Sequence, residues 1–200
     1  MKIAASSAIL ALLLTATTGT AKTVRSTIHI DRPSADATIS YQMQEGQNEM
    51  VGPMIAQGLE HTLIAHRDNL DYGRILLGFN IPNKVDDPRD IMRCILRVPK
   101  PRRSPKQNYE LIAYGASSNW NEATVTAASR VVTSRRLGST MVQKDHSPGD
   151  IDVTEACREA MERKFSVMLD SSGPLVVFDS RNSNKHRRFK LEINYSRWKD

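Results

Sequence analysis

The stretch "RILLGFN", Arg74 to Asn80, decides the fold. Read as a strand, its side chains alternate, with Ile75, Leu77 and Phe79 on one face and Leu76 and Gly78 on the other. Working outward, the same short runs recur between Gly, Pro, Asn and Asp, which is the signature of many short strands. They are "ATISYQ" (Ala37 to Gln42), "IMRCILRV" (Ile91 to Val98), "YELIAYG" (Tyr109 to Gly115), "EATVTA" (Glu122 to Ala127), "FSVMLDS" (Phe165 to Ser171), "LVVFDS" (Leu175 to Ser180) and "FKLEINY" (Phe189 to Tyr195). Weaker candidates are "TVRSTIHI" (Thr23 to Ile30) and "HTLIAH" (His61 to His66). With so little helix between them, these strands predict an all-β antiparallel sandwich or barrel, since parallel sheets need long crossovers.

One segment departs from that pattern. "DVTEACREAMERK" (Asp152 to Lys164) places Val153, Ala156, Cys157, Ala160 and Met161 on one helical face, which predicts a short helix from about Val153 to Arg163. Asp152 and Glu155 fit a capping box, and Glu159 is one turn from Arg163. Cys157 would then point inward.

The chain has 200 residues, a length suited to one domain with a substantial core. Its start, "MKIAASSAILALLLTATTGTAK", carries Lys2, an apolar run through Leu14 and a small-residue tail. That is the form of a secretory signal peptide over residues 1–21, with a single mature domain over 22–200. The run is interrupted too early for a membrane anchor. Secretion predicts an extracellular protein and an oxidising environment, so Cys94 and Cys157 are expected to be bonded. Two unconnected buried thiols are the alternative.

The formal net charge is +6, and its surplus is clustered in "KPRRSPK" (Lys100 to Lys106), "SRRLG" (Ser134 to Gly138) and "KHRRFK" (Lys185 to Lys190). Each could be a solvated loop or serve an anionic partner. Nucleic acid fits poorly, because no aromatic side chains interleave with these runs. An acidic polysaccharide or a charged cell surface fits better. Sandwich loops gather at two ends, so Arg102, Arg103, Arg135, Arg136, Arg187 and Arg188 could converge on one basic surface that holds carboxylates through guanidinium hydrogen bonds. Replacing Arg135 and Arg136 by alanine is the corresponding test.

Catalytic patterns are sparse. The histidines are scattered (His29, His61, His66, His146, His186) without metal-ligand spacing, and no nucleophile elbow or phosphate loop occurs. Asp86-Asp87 precede Pro88 in a turn, and Asp152 is explained as a cap beside Asp150. No enzyme, metal or organic cofactor is expected, and the protein is expected to be a monomer. Asn194-Tyr195-Ser196 is a glycosylation sequon. Trp198, in the tail "SRWKD", is expected to be mobile.

The order of motifs is more specific than any one of them. "ADATI" (Ala35 to Ile39), "GRILLGFNIP" (Gly73 to Pro82), "IMRCILRV", "SSNWNEATVT" (Ser117 to Thr126), "IDVTEAC" (Ile151 to Cys157), "VVFDSRNS" (Val176 to Ser183) and "FKLEINY" together resemble the DNRLRE-type domain, also classed as carbohydrate-binding module family 96. The resemblance spans about residues 35–195. It implies a secreted, jelly-roll-like β-sandwich that binds polysaccharide, acidic uronate polymers among the ligands, in a stand-alone form similar to secreted fungal versions, and the leading expectation is non-catalytic binding of an anionic or neutral cell-wall polysaccharide. In other readings the sandwich is a structural or host-interaction scaffold, or the fold of a lyase or hydrolase. Trp120 is either a platform for a sugar ring, with Asn119, Asn121 and Glu122 supplying hydrogen bonds, or a plug on the core; large aromatics are buried on average, which favours the plug.

Overall fold

The computed structural model describes residues 22–43, 50–51, 56–68, 71–102, 106–129, 131–144, 146–173, 175–183 and 187–199. The expected signal peptide, 1–21, lies outside them, as does Arg103. The strands are β1 (Lys22–Ile30), β2 (Ala35–Met43), β3 (Met50–Val51), β4 (Thr62–Arg67), β5 (Asp71–Asn80), β6 (Ile91–Arg97), β7 (Tyr109–Ala116), β8 (Thr133–Val142), β9 (Ile151–Asp152), β10 (Lys164–Ser171), β11 (Val176–Asp179) and β12 (Lys190–Lys199). One short helix, α1 (Thr154–Arg158), follows β9. Every pairing among the described strands is antiparallel. One sheet runs β1-β12-β6-β9, and the other runs β11-β4-β5-β10-β7-β8 with β2 also on β5 and β3 on β2. The protein is an all-β antiparallel sandwich with one short helix.

The stretch Arg74 to Asn80 explains the layering. Ile75, Leu77 and Phe79 enter the main core, where they meet Cys94, Leu96, Leu191 and Ile193 of the other sheet. Phe79 stacks on Phe165 with ring centroids 5.5 Å apart. Leu76 faces the other way and starts a second small core with Ala37, Ile39, Met168 and Val125. Trp120, Ala127 and Val131 pack against it. The β5 strand is therefore apolar on both sides because Trp120, Val125, Ala127 and Val131 cover the sheet's outer surface there.

Four expectations are corrected. Glu122 to Ala127 is not a strand: the carbonyl of Asn121 accepts from Thr124 N and Val125 N while its side chain accepts from Ala123 N, making a turn that presses Val125 onto the sheet. Ser134 to Gly138 is not a loop but part of β8, paired with β7. Trp198 belongs to β12 and is in register with Thr23, so the backbone of the tail is held by β1. The helix is also shorter than expected and ends at Arg158. Glu162 and Arg163 instead take positive φ values of 49° and 63° in a tight turn that bridges Met161 to Lys164. Arg163 Nε and Nη2 donate to the carbonyls of Ile81 (3.1 Å) and Val85 (2.5 Å), and these contacts hold a conformation that local propensity disfavours. Asp152 accepts from Thr154 N and Thr154 Oγ1, while Glu155 and Glu159 bind Arg135 instead of serving the helix.

Cys94 and Cys157 are bonded, with Cα atoms 6.4 Å apart. The bond joins the inner side of α1 to β6, where Cys94 N also donates to Thr154 Oγ1 and Val153 N donates to the Cys94 carbonyl.

Candidate functional site

The three basic runs have different fates. Two of them meet. The end of β6 and its continuation bring Arg97, Val98, Pro99 and Lys100 beside Arg187, Arg188 and Lys190 in an open groove of about 250 Å³. Arg97 is held by Asp150 and by Glu192, at 2.6 Å from the latter, and this hydrogen bond keeps the Glu192 carboxyl below the usual range. Arg188 donates to the Ser183 carbonyl, and Lys190 lies 3.2 Å from Asp31. Among the described residues, Lys100 and Arg187 make no ion pair and are exposed.

Arg102 turns away from this groove. Its Nε sits 2.8 Å from Oδ1 of Asp179, whose side chain is buried, and its backbone N donates to Val177. Arg135 and Arg136 do not line the groove either. Arg135 bridges Glu155 and Glu159 beside α1 (2.8 and 2.6 Å), and Arg136 binds Glu110 and Ser139.

Trp120 sits on the outer surface of the larger sheet, with its Nε1 donating to Ser166 Oγ at 2.9 Å. It is half-buried and packs over Gly78, where an added Cβ would lie 3.1 Å from the indole Cζ2. Gly78→Ala should thus push the ring by a few tenths of an ångström and cost about 1 kcal/mol, read as a lower denaturation midpoint with a shifted tryptophan emission. An unchanged emission spectrum would contradict the contact.

The residues expected to flank the indole as sugar ligands separate. Asn121 makes its turn, and only Asn119 lines the neighbouring cleft. Glu122 points inward, accepting from Asp36 N (3.1 Å) and Arg181 Nε (2.8 Å). Arg181 N donates to Asp36 Oδ2 at 2.6 Å, and Arg181 Nη1 donates to the Ser34 carbonyl. This network ties together "ADATI", "NWNEAT" and "FDSRNS", three of the motif stretches in the sequence. Asp36 is 1% exposed, and desolvation, partly opposed by the Arg181 backbone N–H, pushes its carboxyl up to about 6. Its chemistry could not be read from spacing, because the three partners lie 59 to 145 positions apart.

A cleft of about 530 Å³ lies where β7 ends and β10 begins, lined in part by Ser117, Ser118, Asn119, Glu159, Met161 and Lys164. A second, separate cleft of about 240 Å³, lined in part by Trp120 and Asn80, adjoins it and shares Ser118, Lys164, Phe165 and Ser166 with it; at this shared edge Ser118 Oγ donates to the Lys164 carbonyl. Asn194, the sequon residue, lies on β12 between β1 and β6; its Oδ1 accepts from Thr27 Oγ1 at 2.6 Å and its Nδ2 donates to Glu192.

A secreted protein of Arthroderma benhamiae, described as uncharacterized, is 28% identical over 114 residues, which cover 56% of this chain and 57% of that protein's length. The match thus spans little more than half of that relative. The family model for carbohydrate-binding module family 96 matches residues 32–195, a span that holds the sandwich core, the disulfide, the basic groove and the Trp120 cleft. The chain belongs to carbohydrate-binding module family 96.

Proposed function

We propose that this is an extracellular, non-catalytic carbohydrate-binding protein whose ligand is an acidic, uronate-type polysaccharide held on the basic groove. The observation that carries the reading is the meeting of Lys100 and Arg187, 187 − 100 = 87 positions apart, on one groove floored by Val98 and Pro99. Guanidinium and ammonium groups suit carboxylates, and the apolar floor suits the C–H face of a sugar ring. Arg97, fixed by Asp150 and Glu192, orders one wall. Extracellular placement is supported by the signal-like start and by the secreted relative. Three of the carboxylates that stand in pairs in the sequence are engaged: Asp150 binds Arg97, Asp152 accepts from Thr154, and Asp87 binds Arg89.

In this reading the weight falls on Lys100 and Arg187, because Arg135 and Arg136 are neutralised by their own carboxylates. The double variant Lys100→Ala/Arg187→Ala should bind alginate or polygalacturonate about tenfold more weakly, with a flatter salt dependence. Arg135→Ala/Arg136→Ala should bind like the parent. Affinity electrophoresis at two salt concentrations distinguishes these results. Equal retention of the groove variant and the parent would overturn the reading.

A further inference from the structure

The cleft beside Trp120 differs in chemistry from the basic groove. Its rim offers the Asn119 amide and the hydroxyls of Ser117, which accepts from Val132 N, and Ser118, which donates to the Lys164 carbonyl; Phe165 at its base is buried, with its ring turned into the main core against Phe79. Met161, 79% exposed, forms an apolar lip. Charge is close to balanced: Glu159 is paired with Arg135, and Glu162 and Lys164 stand together on the rim. The adjoining smaller cleft is lined by the indole of Trp120, which the Nε1–H to Ser166 bond holds in one orientation. The main cleft is in the size range of small-ligand sites.

A hexose presents an apolar C–H face on one side and hydroxyls around its edge. Such a ligand needs an apolar surface fixed in place and donors and acceptors at the rim, with no excess charge to desolvate. We infer that this cleft is a second saccharide site, for a neutral hexose oligosaccharide, separate from the basic groove. It rests on the carbohydrate-binding reading but not on the acidic ligand. The indole is fixed before binding, so little side-chain freedom is lost when a sugar docks. Binding here should be nearly independent of salt, whereas binding at the basic groove should weaken as salt rises. A protein with both sites would hold a charged chain and a neutral chain at once.

The test uses the protein labelled with ¹⁵N and titrated with cellohexaose and laminarihexaose. The Trp120 indole N–H resonance, identified by its loss in Trp120→Phe, should move with at least one of them. Asn119→Ala/Met161→Ala alters exposed rim residues and should weaken neutral-sugar binding about fivefold, with retention on alginate unchanged. Lys100→Ala/Arg187→Ala should give the reverse pattern. If Trp120 is silent to both oligosaccharides at millimolar concentration, or if the groove variant loses neutral and acidic binding together, the second site does not exist. Loss of alginate binding by every form of the protein, with the Trp120 response intact, would remove the acidic reading and leave this one standing.

Discussion

Replacing both Cys94 and Cys157 by alanine is expected to lower the unfolding free energy by about 4 kcal/mol. The bond closes a loop across a sequence separation of 63, so its loss frees the unfolded chain far more than it changes the folded one. In the folded protein, α1 is also docked on β6 by the Thr154 Oγ1 and Val153 N hydrogen bonds to the Cys94 backbone. Both cysteines are fully buried, so two small cavities add to the loss. Chemical denaturation of the double variant against the oxidised parent measures the difference. A loss below about 1 kcal/mol would mean that the variant chain keeps these two positions close together when unfolded, contrary to the entropic account.

Strands that bury at least one face were legible in the sequence. Arg74 to Asn80 announces itself because Ile75, Leu77 and Phe79 alternate into one core, and the outer residue Leu76 is apolar for a reason only the fold reveals: Trp120, Val125, Ala127 and Val131 pack on that side. The β8 strand was hidden for the opposite reason. Ser134, Arg135 and Arg136 are all exposed on the edge of the sheet, so no alternation marks them, and pairing with β7 supplies their order. "EATVTA" has the composition of a strand, but Asn121 bends the backbone before it. The helix beginning at Thr154 was visible in its spacing, whereas its early end depends on distant carbonyls that capture Arg163. At the candidate site, the sequence supplied the cations but not their pairing. Arg102, Arg135 and Arg136 look equivalent to Arg187 in composition, and only the folded chain shows that each already has a carboxylate.

The network of Asp36, Glu122 and Arg181 makes stability depend on pH in an unusual direction. Folding raises the Asp36 carboxyl from its ordinary value of 3.8 to about 6, so the folded state holds that proton more tightly than the unfolded chain does. The resulting stabilisation is complete below about pH 4 and is lost as pH rises through 6. The parent should therefore gain roughly 1–3 kcal/mol on acidification from pH 7 to pH 4.5, where many proteins begin to weaken. Asp36 Oδ1 is buried without a hydrogen-bond partner among the described residues, which is why the neutral form is favoured despite the Arg181 N–H on Oδ2. Asp36→Asn keeps an acceptor for Arg181 N and removes the titrating group, so its stability should be nearly flat over the same range. Arg181→Ala strips Glu122 of its cation and Asp36 of a nearby positive charge, and should cost about 3 kcal/mol at pH 7, less at pH 5 once Asp36 is protonated. Denaturation curves of the three proteins at pH 7, 6, 5 and 4.5 decide the matter. A parent whose stability falls steadily as the pH is lowered from 7 to 4.5, in parallel with Asp36→Asn, would show that this carboxyl is ionised in the folded state throughout and that the motif network is an ordinary ion pair.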